Sequence, residues 1–137
     1  MKSAIFIDTS YFLALVNKRD KYHQAATTVA AQIEPPFITS NAVLLELGNA
    51  LARPPHRRLG IHALRQIYAD AQIEIVYLDE KLLAETIRLY QARPDKAWGL
   101  IDCASFVIMQ QRDLREALTA DKHFEQAGFK RLLTLAR

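Results

Sequence analysis

Cysteine is nearly missing. Cys103 is the only one among 137 residues, so no internal disulfide can form, and a reducing cytoplasm is the compartment such a chain suits. Thiolate metal cages go with it, because CxxC pairs need more than one cysteine. The four histidines show no HExxH spacing, which argues against zinc. Glycine is equally scarce. Its four copies form no GxGxxG, GxxxxGKS/T or GxSxG pattern, so dinucleotide, P-loop nucleotide and serine-hydrolase sites lack their motifs. No run approaches the roughly 18 uninterrupted apolar residues that span a bilayer, and no membrane partner is expected. The opening MKSAIFIDTSYFLALV has the apolar character of a signal peptide. Asp8 interrupts it and no small-residue cleavage site follows, so it reads as a folded strand and turn.

What is present suits a globular domain. Half the residues are hydrophobic, and at this length roughly two-thirds of the unfolded surface can be buried without staples. One domain over 1–137 is expected. The net charge of +3 permits contact with nucleic acid without demanding it. The densest basic stretch is short, RPPHRR from Arg53 to Arg58.

Short apolar runs alternate with helical patterns. Ala4 to Ile7 reads as a strand buried on both faces. Ser10 to Val16 and Tyr22 to Ile33 read as helices, the second stopped by Pro35-Pro36. Phe37 to Thr39 is a second strand, and Ser40 or Asn41 is placed to cap a helix over Ala42–Ala52. A loop carrying RPPHRR leads to a helix from Leu59 to Asp70. Ile73 to Leu78 is a third strand, followed by Asp79 and a helix over Glu80–Arg93. The run GLIDCASFVIM opens a further helix, Gly99 to Gln111. Ala117–Ala120 is a fourth strand, Lys122–Gln126 a short helix, and Leu132–Leu135 a fifth strand. This alternation predicts an α/β domain, a mainly parallel five-stranded sheet between helical layers.

Four acids stand out. In open α/β sheets, ligands gather beyond the carboxyl ends of the strands. Asp8 follows the first strand and Asp121 the fourth. Glu46 and Asp102 interrupt apolar helices. Asp8 and Asp121 also fit plain N-caps, and Asp79 shares their local pattern. Brought together, such carboxylates raise each other's pKa, and a divalent cation resolves the conflict. Mg²⁺ and Mn²⁺ both take hard oxygen ligands.

IFIDTSYFLAL, LLEL, WGLIDCASFVIM and LTADKHFEQAGF, in that order, resemble the PIN-domain family, and among its members the VapC-type toxins of toxin–antitoxin pairs. The resemblance runs over essentially the whole chain. It implies a five-stranded parallel sheet between helices and a Mg²⁺- or Mn²⁺-dependent ribonuclease site. By motif, Asp8, Glu46, Asp102 and Asp121 match the family's four acids, with Asp8, Asp102 and Asp121 as metal ligands and Glu46 orienting the attacking water. Thr9 and Ser10 match the hydroxyl pair after the first acid. The family's strand order makes Asp79 a helix cap at a sheet edge. Ile101 departs from the threonine or serine that many relatives place before the third acid. The resemblance also implies an RNA substrate, a homodimer, and a cognate antitoxin that places an arginine near the acids. A free-standing PIN nuclease in RNA processing and a catalytically silent binding module are the alternatives.

The remaining candidates have two readings each. His123 reads as a surface residue at a helix start, or as a phosphate contact or acid. Trp98 packs on the sheet or stacks on a base. Asn49 orients Glu46 from one turn away, or is only a polar surface residue. Arg53, Arg57 and Arg58 contact RNA phosphates, or are solvated charge. Tyr11, Phe12, Leu13 and Leu15 are core or interface.

Overall fold

A computed structural model describes residues 3–135. Five strands form one sheet: β1 (Ile5–Ile7), β2 (Phe37–Ser40), β3 (Ile73–Val76), β4 (Glu116–Leu118) and β5 (Lys130–Arg131). Their spatial order is β3-β2-β1-β4-β5 and every pair is parallel. β1 is central, and its sequence IFI is buried throughout, as a strand covered on both faces requires.

The order of strands decides where the helices go. From β1 through β2 to β3 the chain steps in one direction, carrying α1 (Thr9–Val16), α2 (His23–Ala30), α3 (Asn41–Ala50) and α4 (Arg57–Ala69). From β3 it returns past β1 to β4 through α5 (Glu80–Ala92) and α6 (Leu100–Gln111), and α7 (His123–Gln126) precedes β5. Right-handed crossovers in opposite directions put their helices on opposite faces. Accordingly α1 packs with α2, α3 and α4, while α6 packs with α5 and α7. The result is an α/β/α sandwich. The direction reverses between β1 and β4, so a crevice opens beyond their carboxyl ends.

α6 is the keel of one face. Cys103 through Met109 are all buried, and Phe106 meets Trp98 and Phe124 edge-on at 5.0 and 4.9 Å. Trp98 is therefore a packing residue, with its indole N–H donating to Gln126 Oε1 at 3.0 Å. On the other face Gly60 lets α4 lie against the end of α3. A Cβ at Gly60 would stand 3.1 Å from Leu51 Cβ. Tyr11 and Phe12 are buried and line, with Ile67 and Ile73, an apolar hollow of about 230 Å³ between α1, α4 and the sheet.

Two expectations need correction. The fifth strand lies at Lys130–Arg131 and not at Leu132–Leu135. Gly128, at φ +95°, turns the chain straight after α7, so pairing with β4 begins at once, Glu116 against Lys130. Leu132 and Leu133 only trail along the edge through single bonds to Ala117 and Thr119. In addition, Arg57 and Arg58 are not loop residues, because they begin α4.

Candidate active site

The end of β1 delivers Asp8 into the crevice, and two hydroxyls hold it there. Ser10 Oγ donates to Asp8 Oδ2 at 3.0 Å, and Thr119 Oγ1 donates to the same oxygen at 2.8 Å. Each hydroxyl also accepts a backbone N–H, Ser10 from Ala120 at 2.9 Å and Thr119 from Asp121 at 3.0 Å. A hydroxyl has one hydrogen to give. With both given to Asp8, the 3.2 Å approach of Ser10 Oγ to Thr119 Oγ1 is a close contact without a proton of its own. Both bonds fall on Oδ2, so neither occupies Oδ1. The local N-cap reading fails for Asp8, whose side chain makes no capping bond although the residue stands at the cap position of α1.

Burial drives the Asp8 pKa from 3.8 to about 6. The Thr119 and Ser10 hydroxyls and the Thr9 amide pull it back down, and the charge of Asp102 pushes it further up. Asp8 and Asp102 therefore feel each other's field.

Asp102 stands in the first turn of α6 and not in its middle. The Gly99 N–H donates to Asp102 Oδ2 at 3.1 Å, the back-bond of a third helical residue to its N-cap. The positive end of the helix dipole lies here too. The buried run thus begins one residue after the carboxylate, at Cys103, and Asp102 keeps a side-chain exposure of 18%. Its pKa is raised, first by burial and then by the charge of Asp121, against the Gly99 and His123 bonds. Asp121 takes the His123 backbone N–H on Oδ1 at 2.8 Å, so its local turn role is real. The His123 ring joins the two acids. Nδ1 lies 3.1 Å from Asp102 Oδ2 and 3.4 Å from Asp121 Oδ1. One ligand atom from each of Asp102, Asp121 and His123 lies within 4.8 Å of the others. Beside them a hollow is lined by Ser10, Asp20, Lys21, Tyr22, Ala120 and Asp121.

A family model described as PIN domain matches residues 5–130. The chain belongs to the PIN-domain family. This PIN domain is 28% identical over 125 residues to the 23S rRNA-specific endonuclease VapC20 of Mycobacterium tuberculosis, covering 91% of this chain and 95% of the relative. The crystal structure of VapC20, described as a toxin that cleaves the Sarcin-Ricin loop, superposes with a TM-score of 0.85 at 27% identity over the same shares of the two chains. FitAcB from Neisseria gonorrhoeae matches with a TM-score of 0.69 at 18% identity, covering 92% of this chain and 94% of that one. VapBC2 from Rickettsia felis, bound to a promoter DNA fragment, matches at 0.66 and 14%, covering 93% and 96%. At those identities the two share the fold.

The other residues singled out in this PIN domain fall into two groups. Glu46 is half-buried on α3, the helix that touches both α1 and α6, and among the described residues it makes no hydrogen bond or ion pair. Thr9 is the member of the hydroxyl pair that makes no side-chain bond to the site. Its hydroxyl is buried and without a partner, and of the hydroxyl pair Ser10 makes the bond to Asp8. Asn49 is exposed and no bond joins it to Glu46, so it does not orient that acid. Arg53, Arg57 and Arg58 are exposed, with Arg57 Nη1 donating to Ala52 O at 3.1 Å. Asp79 caps α5 by accepting the Leu82 N–H at 2.8 Å, after the edge strand β3.

His123 does stand at a helix start, that of α7, but its ring faces Asp102 and Asp121, and Thr119 has no place among the sequence candidates. A signal for Thr119 was present. It stands two residues before Asp121 in an extended segment, where alternate side chains share a side.

Proposed function

We propose that this PIN domain is a ribonuclease that hydrolyses RNA phosphodiester bonds with Mg²⁺ or Mn²⁺, and that it is the toxin of a toxin–antitoxin pair. The observation that carries the reading is the convergence of Asp8, Asp102 and Asp121 at the reversal point of the sheet, with Asp8 pushed up to about 6. Three carboxylates with one imidazole among them fit a hard divalent cation, since the donors are oxygens and no thiolate is near. Asp8 Oδ1, Asp102 and Asp121 would hold it. When bound, the cation supplies a Lewis acid for the phosphoryl oxygen and a lowered pKa for water.

The chain's own residues do the rest. Ser10 and Thr119 fix the direction of Asp8, and Gly99 fixes that of Asp102. His123 holds Asp102 and Asp121 together through Nδ1. Glu46, on α3, orients the attacking water. Lys21, which lines the hollow beside Asp121, offers an ammonium to a substrate phosphate.

The partners follow from the same site. An acidic crevice attracts the guanidinium of an inhibitory antitoxin peptide as it attracts a cation. A second copy of the chain is expected on α5, where Leu83, Ile87 and Tyr90 are exposed at helical spacings that share one face.

Ribosomal RNA, the substrate class in the name of VapC20, is the first to test. The wild-type protein should cut it with Mg²⁺ or Mn²⁺, and EDTA or Asp8→Asn should abolish cutting while the fold persists. Titration calorimetry should show Mn²⁺ binding to wild type and not to Asp102→Ala. Full cleavage in excess EDTA would sink the metal-dependent reading, and no cleavage with no Mn²⁺ binding would leave a silent binding module.

A further inference from the structure

One stretch of this chain carries positive charge with no acid of its own. From Leu47 to Ala69 there are four arginines, two histidines and neither aspartate nor glutamate. Those four charges exceed the +3 of the whole chain, so all other residues together sum to −1. α4 carries most of this stretch. Its buried residues are Gly60, Ala63 and Ile67, and Arg58, His62 and Arg65 are exposed, stacked along about two turns, or about 10 Å. Among the described residues no carboxylate pairs with Arg53, Arg57, Arg58 or Arg65. Elsewhere among those residues Arg93, Arg112 and Arg131 each face one, while Arg19, Arg88 and Arg115, scattered over the chain, do not.

An aromatic pair completes the face. Tyr68, in the last turn of α4, and Tyr77, just past β3, are both largely exposed, and their hydroxyls meet at 3.3 Å. Tyr77 stands at the carboxyl edge of the sheet. The next residue, Leu78, donates its N–H to Asn41 Oδ1 at 2.9 Å, at the start of α3. β3 is two strands from β1, so its end lies about 10 Å along the edge from that of β1 and Asp8.

We propose that the outer face of α4, with Tyr68 and Tyr77, docks the RNA substrate, the arginines on its phosphates and the tyrosine pair under a base. This rests on the ribonuclease reading for its substrate. An acid-free arginine face is complementary to a polyphosphate, and aromatic rings accept any base by stacking. The same face suits a second copy of the chain poorly, because an isologous contact sets a patch near itself and would bring arginine against arginine.

The test is RNA binding on an Asp8→Asn background, so that no strand is cut. A labelled single-stranded RNA is titrated by fluorescence anisotropy between about 50 and 200 mM salt. Arg58→Gln with Arg65→Gln should weaken binding roughly tenfold and shrink the slope of log K against log salt by about 1.4, two contacts at about 0.7 each. Tyr77→Ala should weaken binding about fivefold or more with the slope unchanged. Tyr77→Phe, which keeps the ring, should bind as the parent does. Arg115→Gln, exposed just before β4 at the opposite edge of the sheet, should change neither affinity nor slope. The proposal is overturned if the double variant keeps parental affinity and slope. It is equally overturned if that variant binds RNA normally and loses affinity only for polyglutamate, which would assign the face to an acidic protein. The two readings fail separately. Cleavage by otherwise wild-type protein carrying Arg58→Gln and Arg65→Gln, with KM unmoved, removes the docking face and keeps the nuclease. Salt-sensitive binding through α4 in a protein that cuts nothing keeps the face and removes the nuclease.

Discussion

Asp8 carries its charge at a cost in the metal-free protein. Its pKa rises from 3.8 to about 6 on folding, chiefly through burial. A carboxyl raised in the folded state binds more protons there than in the unfolded chain, so stability falls as pH rises between those values. The loss is about 3 kcal/mol once the pH is well above 6. In EDTA, Asp8→Asn should therefore melt above wild type at about pH 8, and the advantage should vanish near pH 4. Calorimetric melts of the two proteins across that range check it, and parallel profiles would contradict the burial account. Thr119 makes the opposite case. Its hydroxyl both donates to Asp8 and accepts from Asp121, so Thr119→Val leaves a buried carboxylate and an N–H short of partners. A loss of about 1–3 kcal/mol is expected in urea unfolding, with Mn²⁺ affinity down about 10- to 100-fold by calorimetry.

Asp79 and Asp8 look alike in sequence, each following a strand and opening a helix. The element that carries each one separates them. β3 is an edge strand and β1 the central one, so only Asp8 stands at the reversal point. Asp79→Ala should cost about 1 kcal/mol as a lost N-cap and leave RNA cleavage at the wild-type rate, read from a chevron or melt beside an activity assay. The strands and helices were legible because buried strands are short and uniformly apolar and because prolines and caps punctuate the helices. β5 was not, because two charged residues at a sheet edge, Lys130 and Arg131, leave no apolar signature. In the same way Asp8, Asp102 and Asp121 stood out in the sequence and lie near one another in the fold, while Thr119 and His123 acquire their contacts only from neighbours distant in the chain. Ser10 and Thr119 lie 109 residues apart, and no local pattern can report such a meeting.

At the scale of the molecule the two faces are unlike. α4 presents arginines with no acid among them, and α5 presents Leu83, Ile87 and Tyr90 among charges of both signs. The second suits self-association, because mixed charges around an apolar stripe can pair across a two-fold axis. Leu83→Glu with Ile87→Glu should give a monomer by light scattering where wild type gives a dimer, with the melting temperature little changed. Retained dimers would place the contact elsewhere. Among the described residues no helix is long and apolar enough to cross a membrane.

The position of β4 has a consequence during synthesis. β1 is made well before one of its two neighbours, residues 116–118. Until they are made, Asp8 lacks the Thr119 hydroxyl and the crevice lacks Asp121. At about 5–20 residues per second, the growing chain spends several seconds between β1 and β4 as a half-built sheet with an exposed central strand and no complete acidic cluster. For the proposed ribonuclease that interval passes without a complete site, and a product ending before β4 would lack both Thr119 and Asp121.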